Sequence, residues 1–271
     1  MAARELLDPD SSLWDWIAYD LRRYRVMHGL SGTQLGKVMD CTRHTVSNLE
    51  AGRPGFRLNE KQAKAIDALW DTGGHFLRLL RLAKAGHDTD WFRQFTGYEA
   101  RASMIQMYGG QLVPALLQTP DYARALLVAG RNADIEGDFE KRMARQELLS
   151  KPNPPDLWVL LSESVLDWPV GGTEVMRAQL ATLLELSELP HVTLRVVPKS
   201  AGAHEGLDGP FKVITVEEGE LAFVDAPNGG RLVMDATEVR GLRLRFDRIG
   251  AVALPVDSSR SLIRQVMETM K

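Results

Sequence analysis

Apolar positions in the first third of the chain recur at helical intervals. In WIAYDLRRYRVMHGL, Ile17, Leu21, Tyr24 and Met27 or His28 lie three or four residues apart, as on a helix that buries one face, and Gly29 ends the run. In SGTQLGKVMD, Ser31 stands three residues before Gln34 in capping-box spacing, and Leu35, Val38 and Met39 form the apolar side of a second, short helix. After Asp40 and Cys41, Thr42 caps a third helix, RHTVSNLE. Its Val46 and Leu49 point inward, and its Arg43, His44, Ser47 and Asn48 face out. LNEKQAKAIDALWDTGGHFLRLLRLA repeats the spacing twice, with Ala63, Ile66, Leu69 and Trp70, then Phe76, Leu79, Leu80 and Ala83. The pattern predicts an all-α domain of about five helices over residues 1–90.

A polar and aromatic junction, HDTDWFRQFT, covers 87–96, and from Gly97 the organisation changes. TPDYARALLVAG opens with Thr119 as a cap and Pro120 in the first turn. A charged helix over 135–149 runs into the rigid turn KPNPPD. Strands then alternate with helices: DLWVLLSE and HVTLRVVP flank TEVMRAQLATLLELSEL, whose Met176, Leu180, Leu183 and Leu184 share a face. FKVITV and LAFVDA follow as strands joined by a hairpin turn at EEGE. In DATEVRGLRLRFDRIGA, Leu242, Leu244 and Phe246 alternate like a strand. Val239, Leu242, Phe246 and Ile249 recur helically, however, and Asp235 with Glu238 makes a capping-box start, which favours helix. SSRSLIRQVMETMK is helical, with Leu262, Ile263, Val266, Met267 and Met270 on one side. Residues 91–271 are expected to form an α+β domain.

Composition agrees with a small domain joined to a larger one: 271 residues, 44% hydrophobic and 25% charged, supply a packed core. The opening MAARELLDPDSS is too charged for a secretory segment, and no apolar run reaches the roughly 18 residues of a membrane-spanning helix. The single cysteine, Cys41, excludes an intrachain disulfide and reads as a small packed residue of the turn. The six histidines show no metal-ligand spacing. A cytoplasmic protein without cofactor is expected.

The net charge of −3 hides a segregation: from Leu21 to Lys64 nine basic residues face three acidic ones. The outward set of the third helix sits inside this stretch. Arg forms bidentate hydrogen bonds with guanine, Asn does the same with adenine, and Ser and His reach single acceptors. SGTQLGKVMDCTRHTVSNLEAGR is similar to the helix-turn-helix of the lambda-repressor/Cro-like, or XRE, family, with NLEAGR as the exit from the recognition helix. Two positions depart from that family: Gly36 replaces a small Ala, and Asp40 replaces the Gly of the turn. Gly36 still allows close helix packing, and Asp tolerates the left-handed conformation. The resemblance implies base contacts from Arg43, His44, Ser47 and Asn48. It implies phosphate contacts from Ser31, Gln34, Thr42, Thr45, Arg53 and Arg57.

The remainder, over about 95–265, resembles the C-terminal domain of unknown function that accompanies this helix-turn-helix in a large group of actinobacterial, antitoxin-like regulators. The runs that carry it are VPALLQTPDYARALL, RMARQELL, LLSESVLDWPVGG, MRAQLATLLEL and VTLRVVPKSAGAHEGLDGPFKVI. In LLSESVLDW, Glu163 fills the family's acidic place and Trp168 stands where an Arg is more usual. The resemblance implies a transcriptional regulator of double-stranded DNA with a small protein partner encoded nearby. A homodimer reading an inverted repeat is the expected form. Rival readings are an effector pocket lined by Trp158, Trp168 and Met176, or an enzyme using His204 and Glu205 of AGAHEGLDGPF. No nucleophile elbow, phosphate loop, HExxH or CxxC accompanies either, so no enzyme is expected.

Overall fold

Ser12 opens the first helix by accepting the Asp15 N–H at 3.0 Å. That helix, α1 (Leu13–Met27), ends where Gly29 takes a left-handed φ of +66°. The structure, a computed structural model, describes residues 7–53, 55–84, 91–132, 134–226 and 230–270. Four more helices follow: α2 (Gly32–Val38), α3 (Arg43–Glu50), α4 (Glu60–Trp70) and α5 (His75–Lys84). The chain divides into two units, residues 1–94 with 231–235, and residues 95–230 with 236–271.

The core of the first unit is built from the helical faces: Ile17 and Leu21, Leu35 and Met39, Val46 and Leu49, Ala63 and Ile66, Phe76 and Leu80 are all buried. Four expected core positions are exposed instead: Met27, Val38, Leu69 and His28. The packed face of α1 stops at Tyr24, whose ring lies 5.5 Å from those of both Trp70 and Phe76, so the last turn overhangs the core. On the short α2, Leu35 and the following Met39 reach inward and leave Val38 outside.

Two buried carboxylates, invisible in the apolar pattern, tie the helices together. Asp67 accepts the N–H groups of Phe76 and Leu77 at 2.9 Å each and so satisfies the N-terminus of α5. Asp20, 4% exposed, accepts from Trp16 Nε1 at 3.0 Å and meets His75 Nε2 at 2.8 Å.

The turn between α2 and α3 is tight. Asp40 adopts φ +52°, the left-handed conformation expected of it, and the Cys41 N–H donates to the Gly36 carbonyl at 2.8 Å. A Cβ on Gly36 would stand 2.6 Å from the Cys41 carbonyl oxygen, closer than an alanine tolerates. Gly36→Ala gains about 1 kcal/mol of helix propensity. The forced backbone shift costs about 1–3 kcal/mol, so a net loss near 1 kcal/mol is expected. A urea midpoint at or above wild type would contradict the close approach.

In the second unit, α6 (Trp91–Glu99) leads into β1 (Met104–Gly109). The expected junction over 87–96 lies outside the described residues as far as 90, and from Trp91 it is helical. After α7 (Pro120–Ala129) and α8 (Ile135–Gln146) come β2 (Asp156–Ser162), α9 (Ser164–Asp167), α10 (Thr173–Ser187) and β3 (Val192–Val197). The chain continues through β4 (Phe211–Val216), β5 (Gly219–Val224), β6 (Arg231–Val233), α11 (Ala236–Val252) and α12 (Val256–Thr269). The strands form a mixed sheet of order β3-β2-β1-β4-β5-β6. β1, β2 and β3 run parallel, with Met107 opposite Val159 and Val159 opposite Leu194. β4 is antiparallel to β1, and it closes a hairpin with β5 at Val216 and Gly219. Parallel strands need crossovers, which α7 with α8 and α10 supply.

The unit's helices are anchored by polar groups. Thr119 caps α7, while its own N–H donates to the fully buried Gln179 at 2.7 Å. Ser259 Oγ accepts the Val196 N–H at 2.9 Å, and the Leu254 N–H donates to the Val196 carbonyl at 2.8 Å. The outer edge of β3 is thus occupied at Val196.

Candidate nucleic-acid interface

Helix α3 separates its residues sharply by face. Val46 and Leu49 are buried, whereas Arg43, His44 and Ser47 are exposed. Asn48, expected on the outer face, is only 4% exposed, a correction to the sequence reading. The cause is the return of the chain after α3: the Arg53 N–H donates to the Asn48 carbonyl at 3.1 Å, and the following loop closes over that side.

The position of α3 is fixed at both ends. At its start, Thr42 Oγ1 accepts the Thr45 N–H at 3.1 Å and shares a proton with Thr45 Oγ1 at 3.0 Å. At its end, Glu50 takes a bidentate pair from Arg25 of α1, at 2.5 and 2.9 Å, with side chains only 10% and 19% exposed. Arg25 also donates to the Leu30 carbonyl at 2.8 Å, so one guanidinium links α1, the connection after it and the end of α3. The α2 start is closed by a full capping box: Ser31 N donates to Gln34 Oε1 at 2.8 Å, and Ser31 Oγ accepts the Gln34 N–H at 3.2 Å. Ser31, Gln34 and Thr42 are exposed, and Thr45 is half-buried.

The nine basic side chains divide into two groups. Arg23 pairs with Asp20, Arg25 with Glu50, and Lys61 with Asp40 of the turn at 2.8 Å. Arg57, expected at a phosphate, is instead half-buried with its guanidinium 4.9 Å over the Trp14 ring and its Nε enclosed, a second correction. The large flat indole draws the guanidinium in by stacking. Arg22, Lys37, Arg43, Arg53 and Lys64 are exposed, and within the chain their side chains make no ion pair or hydrogen bond. The Arg43 stem rests beside Gly32, its Cγ 3.5 Å from where a Cβ would stand, which leaves the guanidinium to extend. His44 meets Phe56 edge-on at 6.3 Å. Burial raises the Cys41 thiol above its ordinary range, so it is a poor nucleophile.

The rival sites of the second unit are not assembled. His204 Nδ1 accepts the Gly206 N–H at 3.1 Å, whereas Glu205 is held by Arg248 at 2.9 Å, so each is committed elsewhere. Met176 is fully buried, while Trp158 and Trp168 are 44% and 65% exposed. Residues 92–265 match the family described as domain of unknown function, DUF5753, a stretch covering more than half of the chain. The chain belongs to the DUF5753 family. No curated protein and no solved structure matches it. The DUF5753 stretch takes in the whole sheet and leaves α1 to α5 outside. Among the described residues no helix is long and apolar enough to cross a membrane, and no cluster of potential metal ligands occurs.

A charge cluster that sequence reading missed lies inside the DUF5753 stretch. Glu99, 2% exposed, accepts two hydrogen bonds from Arg145 at 2.6 and 3.0 Å, and Lys212 Nζ stands 3.9 Å from it over the Phe95 ring. Burial, with Arg145 and Arg142 nearby, pushes the Lys212 ammonium below the ordinary lysine range against the pull of Glu99 and Asp225. Below the lowered pKa both folded and unfolded states are protonated and the penalty is full. It fades as pH rises to the unfolded value of 10.5. Lys212→Met should therefore raise the melting temperature at neutral pH and flatten the alkaline gain of the wild type, since Glu99 keeps Arg145. A lower melting temperature at neutral pH would show that the Lys212 to Glu99 pair outweighs the burial.

Proposed function

We propose that this DUF5753 protein is a sequence-specific, DNA-binding transcriptional regulator of the antitoxin-like kind. In this reading α2, the turn at Asp40 and α3 form a lambda-repressor/Cro-like (XRE) helix-turn-helix, and α3 enters the major groove of double-stranded DNA. The observation that carries it is the outer face of α3: Arg43, His44 and Ser47 are exposed on a helix whose other side is buried and clamped by Arg25 and Glu50. These three side chains supply the base contacts, and Asn48 drops out because it is buried. Ser31, Gln34, Thr42, Thr45 and Arg53 supply phosphate contacts. The protein acts as a homodimer on an inverted repeat whose half-sites are about 34 Å apart. The DUF5753 domain serves dimerisation and the binding of a small protein partner, and no catalytic step is assigned to it.

The test is binding of the purified protein to DNA from its own upstream region and to random DNA across a salt series. Preference for the upstream DNA supports the regulator, and indifference to both at low salt refutes it. Arg53→Ala separates the roles: it should weaken binding to all sequences alike and lower the salt slope by about 1. A loss confined to the upstream DNA would move Arg53 to the base-reading set.

A further inference from the structure

The two most exposed large apolar side chains among the described residues, Leu207 at 68% and Trp168 at 65%, belong to one place in the fold together with Leu112 at 44%. That place is the C-terminal end of the parallel strands. There Ser164 Oγ lies 2.7 Å from Ser162 Oγ and 3.4 Å from the Gly110 carbonyl, and the buried Tyr108 hydroxyl bonds Ser162. Gly206 packs against the same tyrosine so closely that a Cβ would meet its hydroxyl at 2.7 Å. Leu112 follows Gly110 by two residues, Trp168 follows Ser164 by four, and Leu207 adjoins Gly206. The junction therefore fixes all three apolar side chains at one end of the sheet, while its own hydroxyls already have partners.

The charges at this end alternate in sign. Lys199 pairs with Asp167, Arg245 with Asp208 at 2.9 Å, and Arg248 with Glu205 at 2.9 Å. Glu163, which accepts the Lys199 N–H at 2.6 Å, adds a fourth carboxylate to three cations.

From this we infer that the end of the sheet carrying Leu112, Trp168 and Leu207 is the surface on which a second copy of the chain docks. A two-fold interface sets one patch against itself, so a rim of one sign would repel its copy. A rim of interleaved, nearly balanced charge offers each cation a carboxylate across the axis. The exposed apolar area, roughly 400 Å², is above the scattered exposure of an ordinary surface. It is of the order of the apolar half of the roughly 800 Å² that each partner gives to a stable interface. The inference rests on the dimer of the proposed function and names its surface.

Sedimentation velocity of the full chain, from low to high micromolar, tests it on wild type, Trp168→Glu, Leu207→Asp and Trp158→Glu. Trp158 is a half-exposed aromatic at the other end of β2 and serves as the control. The expected result is a wild-type dimer, at least about tenfold weaker self-association in each of the first two variants, and no change in the control. Both variants replace exposed side chains, so their melting temperatures should stay at the wild-type value. A monomeric wild type, variants that associate like wild type, or a control weakened equally overturns the inference. A monomer that uses this patch for a different protein overturns it too. Titrating the same samples with upstream DNA separates this inference from the regulator reading. A dimer that ignores DNA leaves this surface standing and removes the regulator, and a DNA-binding monomer does the reverse.

Discussion

Glu50→Ala is expected to lower the stability of the helical unit by about 3 kcal/mol, measured by urea unfolding. The Glu50 side chain is only 10% exposed, and it neutralises an Arg25 guanidinium that is itself 19% exposed. Deleting the carboxylate leaves that cation half-buried with the Leu30 carbonyl as its remaining printed partner. This is why the expected loss exceeds the 1 kcal/mol or less of an exposed pair such as Lys61 with Asp40. The double variant Arg25→Met, Glu50→Leu should recover much of the loss, because it removes both charges together. Recovery would locate the effect in the stranded charge rather than in the packing of α3. A single-variant loss below about 1 kcal/mol would show that water reaches the pair and screens it.

The same pair has a functional consequence under the regulator reading. It is the polar link between α1 and the far end of α3, so without it the helix should lose its fixed inclination before the unit unfolds. DNA affinity of Glu50→Ala should then fall on all sequences, including under conditions where the variant is still folded.

Much of the helical unit was legible because each of its helices is short, capped and amphipathic. Ser31 with Gln34, Thr42, and the spacing of Ala63, Ile66, Phe76 and Leu80 are local signals, and local physics decides them. What the sequence hid depends on distant partners. Asn48 reads as outward from helical phase alone, and it is buried because the chain folds back at Arg53. Arg57 reads as a surface cation and is captured by Trp14, 43 residues earlier in the chain. Asp20, Asp67 and Glu99 are ordinary surface acids by composition, and only the tertiary positions of His75, Phe76 and Arg145 make them interior groups.

The sheet shows the same limit. β2, β3, β4 and β5 announce themselves by β-branched and aromatic runs, and the EEGE hairpin by its turn. The central strand β1, MIQMYG, has neither alternation nor β-branched enrichment, and its flanking glycines suggest a loop. It is a strand because β2 and β4 pair with it on both sides, and that pairing has no signature within its six residues. Trp158 and Trp168 were expected in the core by residue type and are exposed, one on the sheet and one after α9.

Arg43→Ala is the variant that decides whether α3 reads bases. Its guanidinium has no partner within the chain, its stem is braced at Gly32, and it occupies the first turn of the helix, the part that contacts base edges in a major-groove docking. A bidentate contact to guanine lost on truncation should cost about 2 kcal/mol on the upstream site, roughly thirtyfold in affinity. The loss on random DNA should stay within the small change produced by removing one long-range charge. Stability should not change, since the side chain is exposed and bonded to nothing. Equal losses on both DNAs would make Arg43 a phosphate contact and leave His44 and Ser47 as the readers. No loss on either would take α3 out of the groove, while Arg53→Ala would still report whether the basic face meets DNA at all. A selective loss, with the salt slope nearly kept, requires that the buried side of α3 be held as Arg25 and Glu50 hold it. The stability and recognition measurements therefore test one geometry from its two sides.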